Sequence, residues 1–194
     1  MSSSLSPSDV LDFDFSRGII TNKAVGIRVF LNSSEAWTIM KEKLFESFSS
    51  GAASILFGIG SFYGEKAVDA AKAYSADIAS DPAMLHRAAK RFGLQSGWGN
   101  ITPRFERDEL IVTVTDCCFC HNMKKRSEAV CYEFSGIISG ALGKIMSALP
   151  SPNSPSKSST ISVKEIRCRV MGETVCEFSS VLPRMLMNEM KFNS

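Results

Sequence analysis

Histidine is scarce in this chain of 194 residues, with His86 and His121 the only two. Neither has a readable triad around it, so histidine-dependent nucleophilic catalysis has little to build on; His86 lies in a polar helical stretch and reads as a surface residue. Charge of either sign is not in excess: 22 Lys plus Arg against 20 Asp plus Glu leave a formal net charge of +2. No nucleic-acid partner is indicated by that balance. The short run Lys124-Lys125-Arg126 reads as solvated loop, and no direct contact with nucleic acid is expected. Long apolar runs are missing too. The longest, Gly51 to Tyr63, is too short and too rich in glycine to span a bilayer, so no membrane span is expected. Met1 to Phe15 shows no basic start followed by an apolar run, so no secretory signal is legible and a cytoplasmic location is expected. A dinucleotide fingerprint is also lacking: Gly58, Gly60 and Gly64 have the wrong spacing and no strand leads into them. Glycines four apart, as at Gly60 and Gly64, instead predict two backbones in close approach, and Gly136, Gly140 and Gly143 on the later helix suggest the same.

What is present is a hydrophobic content of 44% and a charged content of 22%, ordinary for a globular domain, in a length that suits one domain with a sizeable core. Six cysteines in a chain without a legible export signal are expected to stay reduced, which leaves their thiols available to metals. Glu165, Cys168 and Cys176 form Glu-x-x-Cys-x7-Cys, with Gly172 four residues from each thiol. A hairpin turning at Gly172 would set Cys168 opposite Cys176. Opposed strand residues have Cβ atoms about 4.5–5.5 Å apart, which suits two thiolates on one zinc at about 2.3 Å each. Two-residue alternation puts Ile161, Val163 and Glu165 on one face, and a carboxylate on an apolar face is costly unless something pairs with it. Glu165 and Cys168 are three apart, so a bulge or strand end between them is required. Cys131, at the head of an apolar helix, is a candidate fourth ligand. Against this stands the bland reading of buried thiols as small hydrophobes.

A second candidate is Cys117-Cys118-Phe119-Cys120-His121, a literal Cys-x-x-Cys-His. Covalent haem attachment follows export, so the context argues against haem. Cys117, Cys120 and His121 remain an alternative metal site, and a redox pair would want a βαβ setting. Thirteen phenylalanines must mostly be core, though such a core could line an apolar ligand pocket. Phe57, Phe62, Trp98, Phe105, Phe119, Tyr132 and Phe134 are the candidate lining residues.

Along the chain, residues 1–17 read as a flexible tail and 18–194 as a single domain. A strand pair is expected over Ile19 to Leu31, turning near Asn22-Lys23. Ser34 is expected to cap a helix through about Phe48, with Trp37, Met40, Leu44 and Phe48 at helical spacing. Further helices are expected over about Ala52 to Tyr74 and from Asp81-Pro82 to Phe92-Gly93. Strands are expected at Gly97–Phe105 and Glu109–Thr115, and a long helix over Ser127–Leu149. A flexible Ser/Pro loop should occupy residues 150–160, followed by a hairpin of Ile161–Arg169 with Val175–Leu182 and a terminal helix over Pro183–Phe192. The class is α+β, an antiparallel sheet packed against helices.

In this order, Ile55–Gly64, Gly97-Trp98-Gly99 leading into Ile111–Thr115, Cys131–Gly140, and Val163–Cys168 with Gly172 and Cys176-Glu177-Phe178 resemble the 4-vinyl reductase domain family. That family shares its fold with the TRAPP vesicle-tethering subunits and with the sensory regions of phenol-responsive transcriptional activators. The resemblance implies a TRAPP-like α+β fold, commonly dimeric, and thus a homodimer. It also implies zinc held by three cysteines and a glutamate beside an aromatic-ligand pocket, which would fall here on Cys131, Glu165, Cys168 and Cys176. The chain departs from the pattern in its long loop at 150–160, and no ATPase or DNA-binding segment is expected within these residues. The implied function is a zinc-stabilised, non-enzymatic module that binds or senses a hydrophobic or aromatic small molecule. The alternative is an interaction or scaffold subunit, with Met185, Met187 and Met190 as adaptable contact surface. An accessory role in tetrapyrrole vinyl reduction is a third reading, although no residue here is suited to a reduction.

Overall fold

The computed structural model describes residues 11–17, 19–23, 27–29, 33–74, 97–148 and 161–182. The helix expected from Asp81 with its His86, the Ser/Pro loop and the terminal helix with its three methionines lie outside the described residues. Three short strands, β1 (Leu11–Asp14), β2 (Ile19–Asn22) and β3 (Ile27–Val29), form an antiparallel sheet in that order. β1 lies within the stretch read as tail, and pairs with β2 from Leu11↔Asn22 to Asp14↔Ile19. Two helices follow, α1 (Ser34–Phe48) and α2 (Ser50–Tyr74). Then come β4 (Asn100–Glu106), β5 (Glu109–Thr115), a 3-10 turn at Cys118–Cys120, α3 (Tyr132–Ala148), β6 (Lys164–Arg167), a second 3-10 turn at Arg169–Met171 and β7 (Cys176–Val181). The second sheet is antiparallel in the order β4-β5-β7-β6. The class is therefore the expected α+β, with an antiparallel sheet packed against helices.

α3 is the centre of the molecule. Phe134, Ile137, Ile138, Leu142 and Ile145 are all buried, and Phe134 stacks on Phe178 of β7 at 5.2 Å between ring centroids. On its other side α3 meets α2 through paired glycines. A Cβ on Gly60 would land on the carbonyl oxygen of Glu133, and one on Gly64 on that of Ile137. Reciprocally, a Cβ on Gly136 would strike the carbonyl of Phe57, and one on Gly140 that of Ser61. The expected close approach is thus realised by four of the glycines, while Gly58 is exposed with nothing near its missing Cβ.

α1 differs from the expectation in which face it buries. Ser33, rather than Ser34, caps it, its Oγ accepting from the Ala36 amide at 3.1 Å. The stripe read at Trp37, Met40, Leu44 and Phe48 is rotated: Phe48 is 57% exposed, whereas Thr38 and Lys41 are buried. The reason is a polar demand from the neighbouring loop. Lys41 Nζ donates to the carbonyls of Phe119 (2.8 Å) and Val130 (3.0 Å) and to Glu133 Oε2 (3.1 Å). Residues 121–131 are irregular, so the apolar helix begins at Tyr132 rather than near Ser127.

Candidate metal centre

Three separate stretches of chain deliver their cysteines to one place. β5 ends at Thr115, and the chain turns at once through Cys117 into the Cys118–Cys120 3-10 turn. β7 begins at Cys176, which pairs with Val114 on β5, so the start of β7 lies beside the end of β5. Cys131 caps α3, its carbonyl accepting from the amides of Phe134 (2.9 Å) and Ser135 (3.2 Å). β6 pairs with β7 through Glu165↔Phe178 and Arg167↔Glu177, an irregular register that absorbs Ile166. That bulge, with the strand end at Arg167, is the break the spacing of Glu165 and Cys168 demanded. Arg169–Met171 then turns, and Gly172 closes it at a φ of +97°, a left-handed conformation natural to glycine.

The result is a cluster of five buried thiols. Cys131 Sγ lies 3.9 Å from the sulfurs of Cys117, Cys168 and Cys176. Cys176 Sγ lies 3.4 Å from Cys120 and 4.0 Å from Cys168. The ligand atoms of Cys131, Glu165, Cys168 and Cys176 all fall within 4.8 Å of one another, as do those of Cys117, Cys120, Cys131 and Cys176. The two sequence candidates are thus one locus. His121 is not part of it: its side chain is exposed and faces Glu35 at 3.9 Å. Cys118 is half-buried outside the cluster, and burial pushes its thiol up to about 12.

Glu165 is the informative member. Its Oε2 accepts from the Cys131 amide at 2.8 Å, while its buried Oε1 has no hydrogen-bond partner. Burial first, and then the charge of Cys168, hold its carboxyl up at about 9. An orphaned carboxylate oxygen among thiols costs about 1–3 kcal/mol when left so, and a cation would satisfy it. Hydrogen bonds from Cys120 and Cys131 lower the Cys168 thiol to about 6, and those from Cys117, Cys131 and Cys168 favour the Cys176 thiolate against the opposing effect of Cys120. Sulfur-rich donors in tetrahedral reach, with one carboxylate, suit zinc. The residues fit the ion that the resemblance implied.

Lys41 and Glu133 form the supporting layer, and sequence reasoning gave them no role. Both are buried, and Trp37 Nε1 adds a 3.0 Å bond to Glu133 Oε1. Burial opposes the Lys41 charge, but Glu133 and the nearby thiols hold its pKa above the ordinary value. The signal that could have found the pair is a lysine one turn after Trp37 and a glutamate beside Phe134 on an apolar helix.

The aromatic candidates divide. Trp98, Phe119 and Phe134 meet one another at 5.5, 5.6 and 6.4 Å between centroids, and Phe178 and Trp37 extend the group. Phe105 packs against the same core, and Tyr132 lies against Phe45 at 6.2 Å. Phe57 is half-buried on α2, with its carbonyl against Gly136, while Phe62 is 53% exposed.

Compared with protein-family models and with curated proteins, the chain matches none. Solved structures do match. The chain is similar to the phenol-responsive sensory domain of the transcription activator PoxR, solved with phenol. The TM-score is 0.71 at 17% identity, over 89% of this chain and 85% of that one. It is also similar to a trafficking protein particle complex subunit 3 from Naegleria fowleri, covalently bound to palmitic acid. There the TM-score is 0.58 at 10% identity, over 77% of this chain and 92% of that one. A vinyl-4-reductase family protein from Methanocaldococcus jannaschii matches at a TM-score of 0.47 and 12% identity, over 78% and 82% of the two chains; at that distance it carries no weight. The first two likenesses bear out the fold that the motifs resembled.

Proposed function

We propose that this chain is a zinc-stabilised, non-enzymatic module that binds a small hydrophobic or aromatic molecule. The observation that carries the metal half is the unpartnered Oε1 of Glu165 within a buried set of Cys131, Cys168 and Cys176 sulfurs. Four protein ligands close a tetrahedral shell and leave no position for an activated water, which is why the zinc is structural. The ligand half is supported by the fold: the two neighbours that share it hold phenol and palmitic acid respectively. Trp98, Phe119 and Phe134, packed next to the cysteine turn, are the residues here best placed to feel such a ligand. Binding would act by favouring one arrangement of this junction, which requires unequal affinity for two arrangements.

Elemental analysis of the purified protein tests the first half. Zinc is expected in the parent chain and in Cys118→Ser, and is expected to fall in Cys168→Ser. A protein free of metal throughout would sink the reading. For the second half, thermal unfolding in the presence of phenol or palmitate is expected to move upward. No shift with either probe at millimolar phenol or micromolar palmitate counts against ligand binding.

A second reading has its own observation. Ile39, Met40, Ile55, Phe62 and Tyr63 are exposed apolar residues on α1 and α2. Such a face suits a homodimer or a scaffold contact. Sedimentation of the parent chain beside Ile55→Glu/Phe62→Glu checks it: a dimer that the double variant converts to monomer supports the interface, and a parent monomer refutes the homodimer.

A further inference from the structure

We propose that the cysteine cluster is a binuclear centre, in which two zinc ions share the thiolates of Cys131 and Cys176. One ion is completed by Glu165 and Cys168, the other by Cys117 and Cys120. The first of these is the zinc proposed above, so the inference rests on that reading and adds a second ion to it.

The argument starts from the number of donors. A tetrahedral zinc uses four, and this buried locus offers six, five sulfurs and a carboxylate. Two tetrahedral ions need eight bonds, and six donors supply eight when two of them bridge. The structure separates the donors in that way. Two sets of four each lie within 4.8 Å, every donor belongs to at least one set, and Cys131 and Cys176 belong to both.

The distances follow the same division. Zinc–sulfur bonds of about 2.3 Å at tetrahedral angles put sulfurs about 3.8 Å apart. The shared edge, Cys131 to Cys176, is 3.9 Å. On the Glu165 side, Cys168 lies 3.9 Å from Cys131 and 4.0 Å from Cys176. On the other side, Cys117 lies 3.9 Å from Cys131, and Cys120 lies 3.4 Å from Cys176. Each terminal thiol is therefore within about 0.4 Å of a coordination edge to a bridging thiol. Packing of small hydrophobes explains burial, but it does not require that five sulfurs converge while a carboxylate oxygen is left unpartnered beside them.

Charge points the same way. Six anionic donors around a single dication would bury a large negative excess, which a second dication offsets. Lys41 contributes as well: its ammonium is fixed on the carbonyls of Phe119 and Val130, the residues that immediately precede Cys120 and Cys131.

The test uses the full chain purified under reducing conditions and loaded with zinc, then with cobalt(II). Two zinc ions per chain are expected in the parent protein, and about one in Cys120→Ser, whose Glu165–Cys168 side is intact. Cobalt loading of the unaltered protein gives a readout that no variant can confound. Thiolate bridges couple two high-spin cobalt ions, so the magnetic moment per cobalt should fall as the second equivalent binds. One zinc in the parent, unchanged in Cys120→Ser, overturns the binuclear centre and leaves the hairpin zinc standing. One zinc lost in Cys120→Ser but kept in Cys168→Ser overturns both. Two zinc ions with magnetically independent cobalt overturn the bridge. A metal-free reduced protein, or a Cys120–Cys176 disulfide that excludes metal, overturns the whole assignment.

Discussion

Replacing Lys41 by methionine isolates the part of the structure that holds the cysteine turn in place. The side chain is fully buried, and its ammonium makes three bonds at 2.8–3.1 Å, to two carbonyls and a carboxylate. Methionine fills much of the same volume, so the loss is electrostatic. Breaking a buried ion pair by removing one partner costs about 3–5 kcal/mol, because the other charge is left uncompensated. Two carbonyls also lose a charged donor, at up to about 1–3 kcal/mol each where no water replaces it. A deficit of about 4 kcal/mol or more is expected, a large part of the roughly 5–15 kcal/mol that a domain has. The melting temperature should fall by roughly 8–16 °C for a chain of this size. The deficit should depend on pH. Burial already pushes Glu133 above the ordinary carboxylate value, and Lys41 is a cation that opposes the push. Without Lys41 the folded-state pKa rises further. A raised folded pKa gives stability that is full below the unfolded value, near 4.5, and is lost as pH rises. Lys41→Met should therefore be closest to the parent at pH 5 and furthest from it at pH 8. Adding Glu133→Leu should recover part of the loss but not all, since the carbonyls of Phe119 and Val130 remain unpaired. Urea titration of the three proteins at both pH values measures every quantity. A single variant within about 1 kcal/mol of the parent at pH 8 would refute the reasoning.

The glycine contacts give a paired prediction. Gly136→Ala places a methyl on the backbone of α2 and should destabilise by about 2–3 kcal/mol, whereas exposed Gly58→Ala should be neutral or stabilising by about 0.5–1 kcal/mol; thermal unfolding separates them. Zinc binding should release protons, because Glu165, held up at about 9, is protonated at pH 7 in the metal-free protein. Calorimetry in buffers of different ionisation heat should show about one fewer proton released at pH 7 in Glu165→Gln, and equal release would place Glu165 outside the coordination shell. The same proton makes the apparent zinc affinity of the parent rise with pH towards 9, more steeply than that of Glu165→Gln.

Much of this was legible in the sequence because it rests on local rules. The bulge between Glu165 and Cys168 followed from the parity of their spacing, and the approach of the Cys168 and Cys176 sulfurs to 4.0 Å from the symmetry of Gly172 between them, although Cys168 lies just beyond the end of β6. The glycine contacts followed from spacing of four in two apolar helices. What escaped the sequence is long-range. Cys117 and Cys120 read as a rival to the hairpin site because nothing local says that β5 and β7 are neighbours. The pairing of Val114 with Cys176 is what merges the two sets. His121 belonged to the motif by spelling only, since the 3-10 turn ends at Cys120 and the chain then heads outward. The buried face of α1 was misread for the same kind of reason. Hydropathy alone selects the stripe of Trp37, Met40, Leu44 and Phe48, whereas the helix is rotated to bring Lys41 to carbonyls 78 and 89 residues away.

Removing the metal should loosen one junction without unfolding the molecule, and the structure says which. Small zinc domains unfold without their ion because they have little else to bury. Here α3 is covered by α2 through the glycine contacts and by the sheet through Phe134 and Phe178, none of which involves a sulfur. The ion instead ties the end of β5, the head of α3 and the β6–β7 turn, segments otherwise joined at that point by thiol contacts, the Val114–Cys176 end of the β5–β7 ladder, and the bonds from the Cys131 amide to Glu165 and from the Arg126 amide to the Val170 carbonyl. An ion present at about a thousand times its dissociation constant adds about 4 kcal/mol to the folded state. That free energy should appear where the junction opens. Treatment with a chelator is expected to abolish amide-exchange protection across residues 114–120 and 168–176 while leaving residues 137–145 of α3 protected, because local openings draw only on the contacts they break. Uniform loss of protection would mean that the ion holds the whole fold. Unchanged protection at 168–176 would mean that the thiols need no ion to stay together, and the structural role argued for the cluster would fall.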